Sequence, residues 1–293
     1  MLSASAFTAI LGRVKPQGET LPARCCAIPP PPLRTRHFPA DLRPRIVSSR
    51  VEIPRIKIGP RPQVRTEALN LTEPVHVTVR VDATTSVSAL LILPTAARSC
   101  FVLAHGAGAG MTHPFMTTFA AALQARDIAT LRYQFPFMEA GSKRPDRPTV
   151  AQAAVRAAVA AAADLAPGRL LIAGGKSFGG RMTSQTQAIA GLPGVRGLAF
   201  LGFPLHPAGK PSDERAAHLE EIGIPMLFVQ GTRDALAEMR LLEPVVRRLG
   251  ARATLVPMAD ADHAFHVPAR TGRTDAQVLG TLADALAGWI AAL

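Results

Sequence analysis

Hydrophobic positions along the chain fall into short strand-like runs separated by helical stretches, an alternation that begins near Glu73. Val75, Val77, Val79 and Val81 alternate with polar residues, and β character resumes over Val87–Leu93 after the turn Asp82-Ala83-Thr84-Thr85. Period-two patterning on both sides of a short polar turn predicts an antiparallel hairpin at a sheet edge. Next, Cys100–Ala104 is continuously apolar, as a strand buried on both faces is. The pattern then predicts a helix over Pro114–Arg126, a strand over Ile128–Tyr133, an irregular stretch to Pro148, a helix over Thr149–Leu165 and a strand from Leu170. Further on it predicts a helix over Met182–Ala190, a strand over Val195–Phe203, a short helix near Asp213–Glu221 and a strand over Pro225–Gln230. A helix over Ala235–Leu249, a strand over Ala253–Pro257 and a helix over Thr274–Leu293 complete the order. Strands alternating with helices imply an α/β fold, with a mostly parallel sheet covered on both faces. The stretch from Phe203 to Pro225, about 20 residues, leaves no room for a lid domain, so an open site is expected.

The chemistry gathers at strand ends. Leu170-Leu171-Ile172-Ala173 runs into Gly174-Gly175-Lys176-Ser177-Phe178-Gly179-Gly180-Arg181, which places Ser177 on a strand-to-helix turn. Gly175 and Gly179 suit that turn because a Cβ two residues before or after the serine would strike the backbone. The hydroxyl is then held clear of the sheet, and the Phe178 amide faces a developing oxyanion. The tripeptide Gly175-Lys176-Ser177 mimics the end of a phosphate-binding loop, but the glycine that such a loop requires at position 170 is Leu170. A second glycine-rich segment, His105-Gly106-Ala107-Gly108-Ala109-Gly110, fails the dinucleotide spacing because its last glycine would fall on Met111 or His113. It stands instead where hydrolases place the other oxyanion donor, with Ala107 as the expected amide.

A serine hydroxyl needs a base within hydrogen-bond reach, itself oriented by a carboxylate. Asp234 follows the strand ending at Gln230, and His263 follows the final strand. The order Ser177, Asp234, His263 is the one α/β-hydrolases use, and each member falls at a strand end. Asp234 has a competing role as the cap of a helix starting at Ala235. His266 competes for the base, whereas Asp260 and Asp262 read as loop residues. His206 and Lys210, after the sixth strand, are candidates for gripping an anionic group, and His113 for lining the pocket. Lys176 is expected to pair with a nearby acid, and Arg144 with Asp146.

Gly175-Lys176-Ser177-Phe178-Gly179-Gly180-Arg181, the His105–Gly110 loop, Phe135-Pro136-Phe137 with Arg144-Pro145-Asp146, Phe203-Pro204-Leu205-His206-Pro207 with Lys210-Pro211, and Asp262-His263 together carry a family resemblance. Over about Asn70 to Leu293 the chain resembles the α/β-hydrolase-like domain of the non-specific-lethal and testis-expressed proteins, more distantly related to dienelactone hydrolases. The resemblance implies the α/β-hydrolase fold and a triad of Ser177, Asp234 and His263. It names no substrate, and it leaves open a noncatalytic scaffold that binds a partner. The expectation is a serine hydrolase for a small ester or thioester, needing no cofactor and no metal.

Composition changes this picture mainly at the N-terminus. The net charge of +12 looks like a nucleic-acid signature until it is divided. Residues 1–65 carry 12 Lys/Arg against 3 Asp/Glu, whereas the remainder carries 21 against 18. Residues 1–70, rich in proline and arginine, are expected to be a disordered basic extension, a leader, a targeting segment or an electrostatic arm, and residues 71–293 the hydrolase domain. Neither nucleic acid nor membrane is expected as a partner of the domain. Cys25, Cys26 and Cys100 form no disulfide framework, which suits a reducing, cytoplasmic setting.

Overall fold

The computed structural model describes residues 71–293, so expectations about residues 1–70, including Cys25 and Cys26, lie outside the described residues. Strands β1 (Leu71–Arg80) and β2 (Ser86–Leu93) form an antiparallel hairpin. Asp82 fixes its turn by accepting the Thr84 and Thr85 amides at 2.8 Å each. The other strands are β3 (Ser99–Ala104), β4 (Ile128–Tyr133), β5 (Leu170–Lys176), β6 (Val195–Leu201), β7 (Met226–Gly231) and β8 (Ala253–Met258). They make one eight-stranded sheet in the order β1-β2-β4-β3-β5-β6-β7-β8, parallel from β4 to β8.

Alternation along each central strand sorts the core into two layers. Cys100, Val102 and Ala104 of β3 join the cluster on one face, and Phe101 and Leu103 join the other. The first face is covered by α3 (Pro148–Leu165), α4 (Phe178–Ile189) and α5 (Met239–Leu249), the second by α1 (Pro114–Gln124) and α6 (Asp275–Ala291). The stripe Ala151, Ala154, Val155, Ala158, Val159 and Ala162 of α3 is buried at helical spacing, and its small side chains let the helix lie close to the sheet. Thr274 and Gln277 close a reciprocal capping box that starts α6. Because β4 and β5 flank β3 on opposite sides and their connections use opposite faces, the carboxyl ends of β3 and β5 border the crevice where such sheets bind ligands.

Most boundaries agree with the sequence pattern to within a few residues, and the exceptions have local causes. The elbow helix starts at Phe178 and not at Met182, because Gly179 and Gly180 take part in its first turn. The helix expected from Ala235 starts at Met239 with Glu238 at its cap, so Asp234 caps nothing. A four-residue helix, α2 (Pro136–Glu139), occupies part of the stretch expected to be irregular. Asp146 accepts the Phe137 amide of this helix at 2.9 Å, and no ion pair joins it to Arg144 among the described residues, contrary to expectation. Between β6 and β7 there is only a 3₁₀ segment, Glu214–Glu221, and no lid domain. Among the described residues no helix is long and apolar enough to cross a membrane.

Candidate active site

Ser177 sits between β5 and α4 at φ 50° and ψ −113°, a backbone conformation that costs a non-glycine residue about 1–3 kcal/mol. The surrounding glycines are required by contact. A Cβ on Gly175 would lie 2.1 Å from the Ala104 carbonyl oxygen, and one on Gly179 would lie 2.6 Å from that of His105. The turn therefore presses against the end of β3, and the glycine-rich loop after β3 starts beside the serine.

Three distant side chains meet there. His263 Nε2 lies 2.8 Å from Ser177 Oγ, and His263 Nδ1 lies 2.6 Å from Asp234 Oδ2. The Asp234 carboxylate is fully buried and the imidazole about one-quarter exposed, so the line runs from the core to the open side. Asp234 Oδ2 also accepts from Gln230 Nε2 at 2.6 Å, and Oδ1 accepts the Leu236 amide at 2.8 Å. Gln230 is itself fixed, because its Oε1 accepts the Phe203 amide at 2.8 Å. The loop that carries His263 is held by Asp262, whose Oδ1 accepts the Ala264 and His266 amides at 2.8 and 2.9 Å. Gly231 lets the end of β7 touch that loop, since a Cβ there would lie 2.4 Å from the Ala261 carbonyl oxygen.

The glycine-rich loop is pinned by His105. Its Nδ1 donates to the Gly106 carbonyl at 2.7 Å and its Nε2 accepts the Phe135 amide at 2.9 Å, an arrangement that requires the neutral ring. Burial pushes its pKa down to about 4, in keeping with that tautomer. Arg132 holds the far end of the loop by donating to the Met111 carbonyl at 3.1 Å. The Ala107 and Phe178 amides make no hydrogen bond to other described residues.

Lys176 has no carboxylate within ion-pair distance among the described residues, so the expected pairing is replaced by another arrangement. Its Nζ donates to the His263 carbonyl and stands 5.1 Å from the Phe265 ring centre and 5.9 Å from that of Phe115. Burial lowers its pKa to about 8 against the opposing pull of Asp234 and Asp262. A cavity of about 400 Å³ opens over Ser177, His263 and Lys176, with Ala107, His113 and Phe115 in its wall. His113 both lines this cavity and accepts the Phe115 amide at 3.2 Å as the cap of α1.

Several candidates fall elsewhere. His206 is buried with Nε2 on Glu238 at 2.7 Å and Nδ1 on the Pro207 carbonyl at 2.8 Å, so neither nitrogen is free to grip an anion. Lys210 is exposed in the loop after β6 and lines neither cavity that touches Ser177. His266 pairs with Asp275 at 2.9 Å on the surface, which raises its pKa, and Asp260 lies 3.5 Å from Arg270. Gln230 and His105 are the parts of the site to which the residue pattern assigned no role. Gln230 had a signal, being the one polar side chain in the apolar run Met226–Gln230. Among the described residues no cluster of three or more His, Cys, Asp or Glu could hold a metal ion.

This strand order and this elbow define a class. A family described as the alpha/beta hydrolase domain matches residues 97–291, and the chain belongs to it. The fold is shared with a dienelactone hydrolase from Anabaena variabilis at 20% identity and a TM-score of 0.60, over 74% of this chain and 96% of that one. It is also shared with a serine hydrolase without a lid from Xanthomonas campestris at 21% identity and a TM-score of 0.58, over 74% and 95% of the two chains. The esterase domain of a Rhodothermus marinus protein is similar at 16% identity and a TM-score of 0.58, over 74% and 97%.

Proposed function

We propose that this protein is a serine hydrolase that cleaves a small ester or thioester through an acyl-enzyme. The observation that carries the reading is the unbroken chain Ser177 Oγ, His263 Nε2, His263 Nδ1, Asp234 Oδ2, with gaps of 2.8 Å and 2.6 Å. With the Nδ1 proton directed at the buried carboxylate, Nε2 is left as the acceptor for the serine proton. Oγ bonds to the substrate carbonyl carbon while its proton passes to Nε2, and the carbonyl oxygen takes the negative charge beside the Ala107 and Phe178 amides. As the tetrahedral carbon collapses, the bond to the leaving oxygen or sulfur breaks and that atom takes the proton from Nε2. Water then repeats the sequence against the acyl-enzyme and releases the acid.

Gln230 and Lys176 act in this scheme as positioning residues, one holding Asp234 and the other the backbone of His263. The likeness to the non-specific-lethal and testis-expressed branch, carried by the Gly175–Arg181 and Phe203–Pro207 motifs, belongs to the same proposal. Stopped-flow hydrolysis of 4-nitrophenyl acetate tests it. The expected record is a burst of one nitrophenolate per protein, lost in Ser177→Ala and in His263→Ala while both variants keep the wild-type circular dichroism. Burst-free turnover that survives Ser177→Ala would assign the nucleophile elsewhere, and inert wild-type protein would favour the scaffold role.

A further inference from the structure

A second cavity, of about 340 Å³, has Ser177 in its wall and, unlike the first, is not lined by His263. Its wall includes Ala107, Ser177 and Phe178 together with Arg181, Arg215 and Asp146, and proline and leucine side chains complete it. Arg181 lies in the first turn of α4 and Arg215 in the 3₁₀ segment before β7. Neither guanidinium forms an ion pair or hydrogen bond with any described residue, and Arg181 Nε is buried without a partner. Arg181 rests instead over the Phe178 ring, 6.0 Å from its centre. The two arginines are near enough that the charge of Arg215, after burial, lowers the pKa of Arg181. Two like charges in the wall of one cavity, one of them carrying a desolvated nitrogen, are costly unless an anion joins them.

The groups around them do not supply that anion. Asp146 spends its Oδ2 on the Phe137 amide at 2.9 Å and pairs with neither arginine. His218, tied to Ser184 Oγ at 2.8 Å, is neutral because burial and the Arg181 charge push its pKa down to about 4. The cavity therefore keeps a net positive charge within reach of the nucleophile. The larger cavity holds a cation too, Lys176, but that ammonium donates to the His263 carbonyl, and the rings and methyl groups of Phe115, Met116 and Ala264 make up much of the remaining wall.

The reaction geometry assigns the two cavities, given the serine-hydrolase reading on which this inference rests. The leaving atom must receive its proton from His263 Nε2, so the leaving group occupies the cavity that His263 lines. The oxyanion faces the amides, and the acyl chain is left the cavity that His263 does not line, whose wall holds Arg181 and Arg215. We propose that the acyl part of the substrate ends in a carboxylate held by Arg181 and Arg215, so that the enzyme hydrolyses a half-ester or half-thioester of a dicarboxylic acid. Water cleaves the ester bond, and the products are the dicarboxylate, the neutral alcohol or thiol and one proton.

Two esters of equal chain length test this: mono(4-nitrophenyl) glutarate, with a carboxylate on the acyl chain, and 4-nitrophenyl pentanoate, without one. Wild-type protein is expected to favour the glutarate in kcat/KM by roughly 10-fold or more, as a charge-assisted contact does. That preference should fall toward one in Arg181→Met and Arg215→Met, and partly return in the lysine variants. Reading the ratio of two esters cancels any general loss of active protein. Turnover of both esters at similar kcat/KM in the wild type, or a glutarate preference that survives both methionine variants, would overturn the carboxylate site and leave the hydrolase reading standing. Turnover of neither ester, with no acylation of Ser177, would remove the hydrolase reading and this inference with it.

Discussion

Replacing Gln230 by leucine removes two buried hydrogen bonds while nearly conserving volume, and the site's geometry sets the size of the effect. The Phe203 amide, 2.8 Å from Gln230 Oε1, becomes an unsatisfied buried donor, a loss of about 1–3 kcal/mol. The bond from Nε2 to the Asp234 carboxylate, at 2.6 Å, is charge-assisted and adds about 1.5–3 kcal/mol. Urea unfolding should therefore show a loss of about 3–5 kcal/mol, a large share of the roughly 5–15 kcal/mol that holds a domain together. Asp234 keeps the Leu236 amide and His263 but loses the donor that fixes its rotation. A displacement on the order of 1 Å in such a group lowers the rate about 100-fold, so the burst rate with 4-nitrophenyl acetate should drop by roughly 10- to 100-fold. Destabilisation below about 1 kcal/mol together with an unchanged burst rate would show that Gln230 does not hold the carboxylate.

Other perturbations probe the remaining supports. Lys176 releases its proton near pH 8 in the folded chain but near 10.5 when unfolded, so the unfolded chain binds more protons between these values and stability rises with pH across that window. Urea unfolding of wild type against Lys176→Met from pH 7 to 10 should show that rise in the wild type alone. Ser177→Gly relieves the positive φ of 50° and should raise the melting temperature by the equivalent of up to about 1 kcal/mol while abolishing the burst; a clear fall in melting temperature would argue against a strained elbow. His105→Leu leaves the Phe135 amide without its acceptor and should cost about 1–3 kcal/mol in urea unfolding, with slower acylation because the Ala107 loop loses its pin.

The sheet, the elbow and the three strand-end side chains were legible because each follows from a local rule. Continuous apolar runs mark buried strands, glycines mark the tight turn, and ligand groups gather at carboxyl ends. What stayed hidden depends on contacts between segments far apart in the chain. The expectation that His206 grips an anion rested on its place at the sheet edge, but Glu238, 32 residues away in the chain, closes off its Nε2. Lys176 was expected to find an acid, and its actual partner is a backbone carbonyl 87 residues on. Arg181 closes the Gly175–Arg181 motif, but nothing in the residue pattern ties it to Arg215, 34 positions on; only the packing of α4 against the 3₁₀ segment brings the two to one cavity. The helix start at Met239 is not legible from helix propensity, which cannot register that Asp234 serves His263 and Gln230.

The central claim, that Ser177 is a nucleophile activated by His263, meets its most direct test in labelling with a fluorophosphonate followed by peptide mapping of the adduct. A single adduct on Ser177 is expected, formed quickly in the wild type and at least about 1,000-fold more slowly in His263→Ala. An adduct on another residue, or labelling of Ser177 at the same rate without His263, would contradict it.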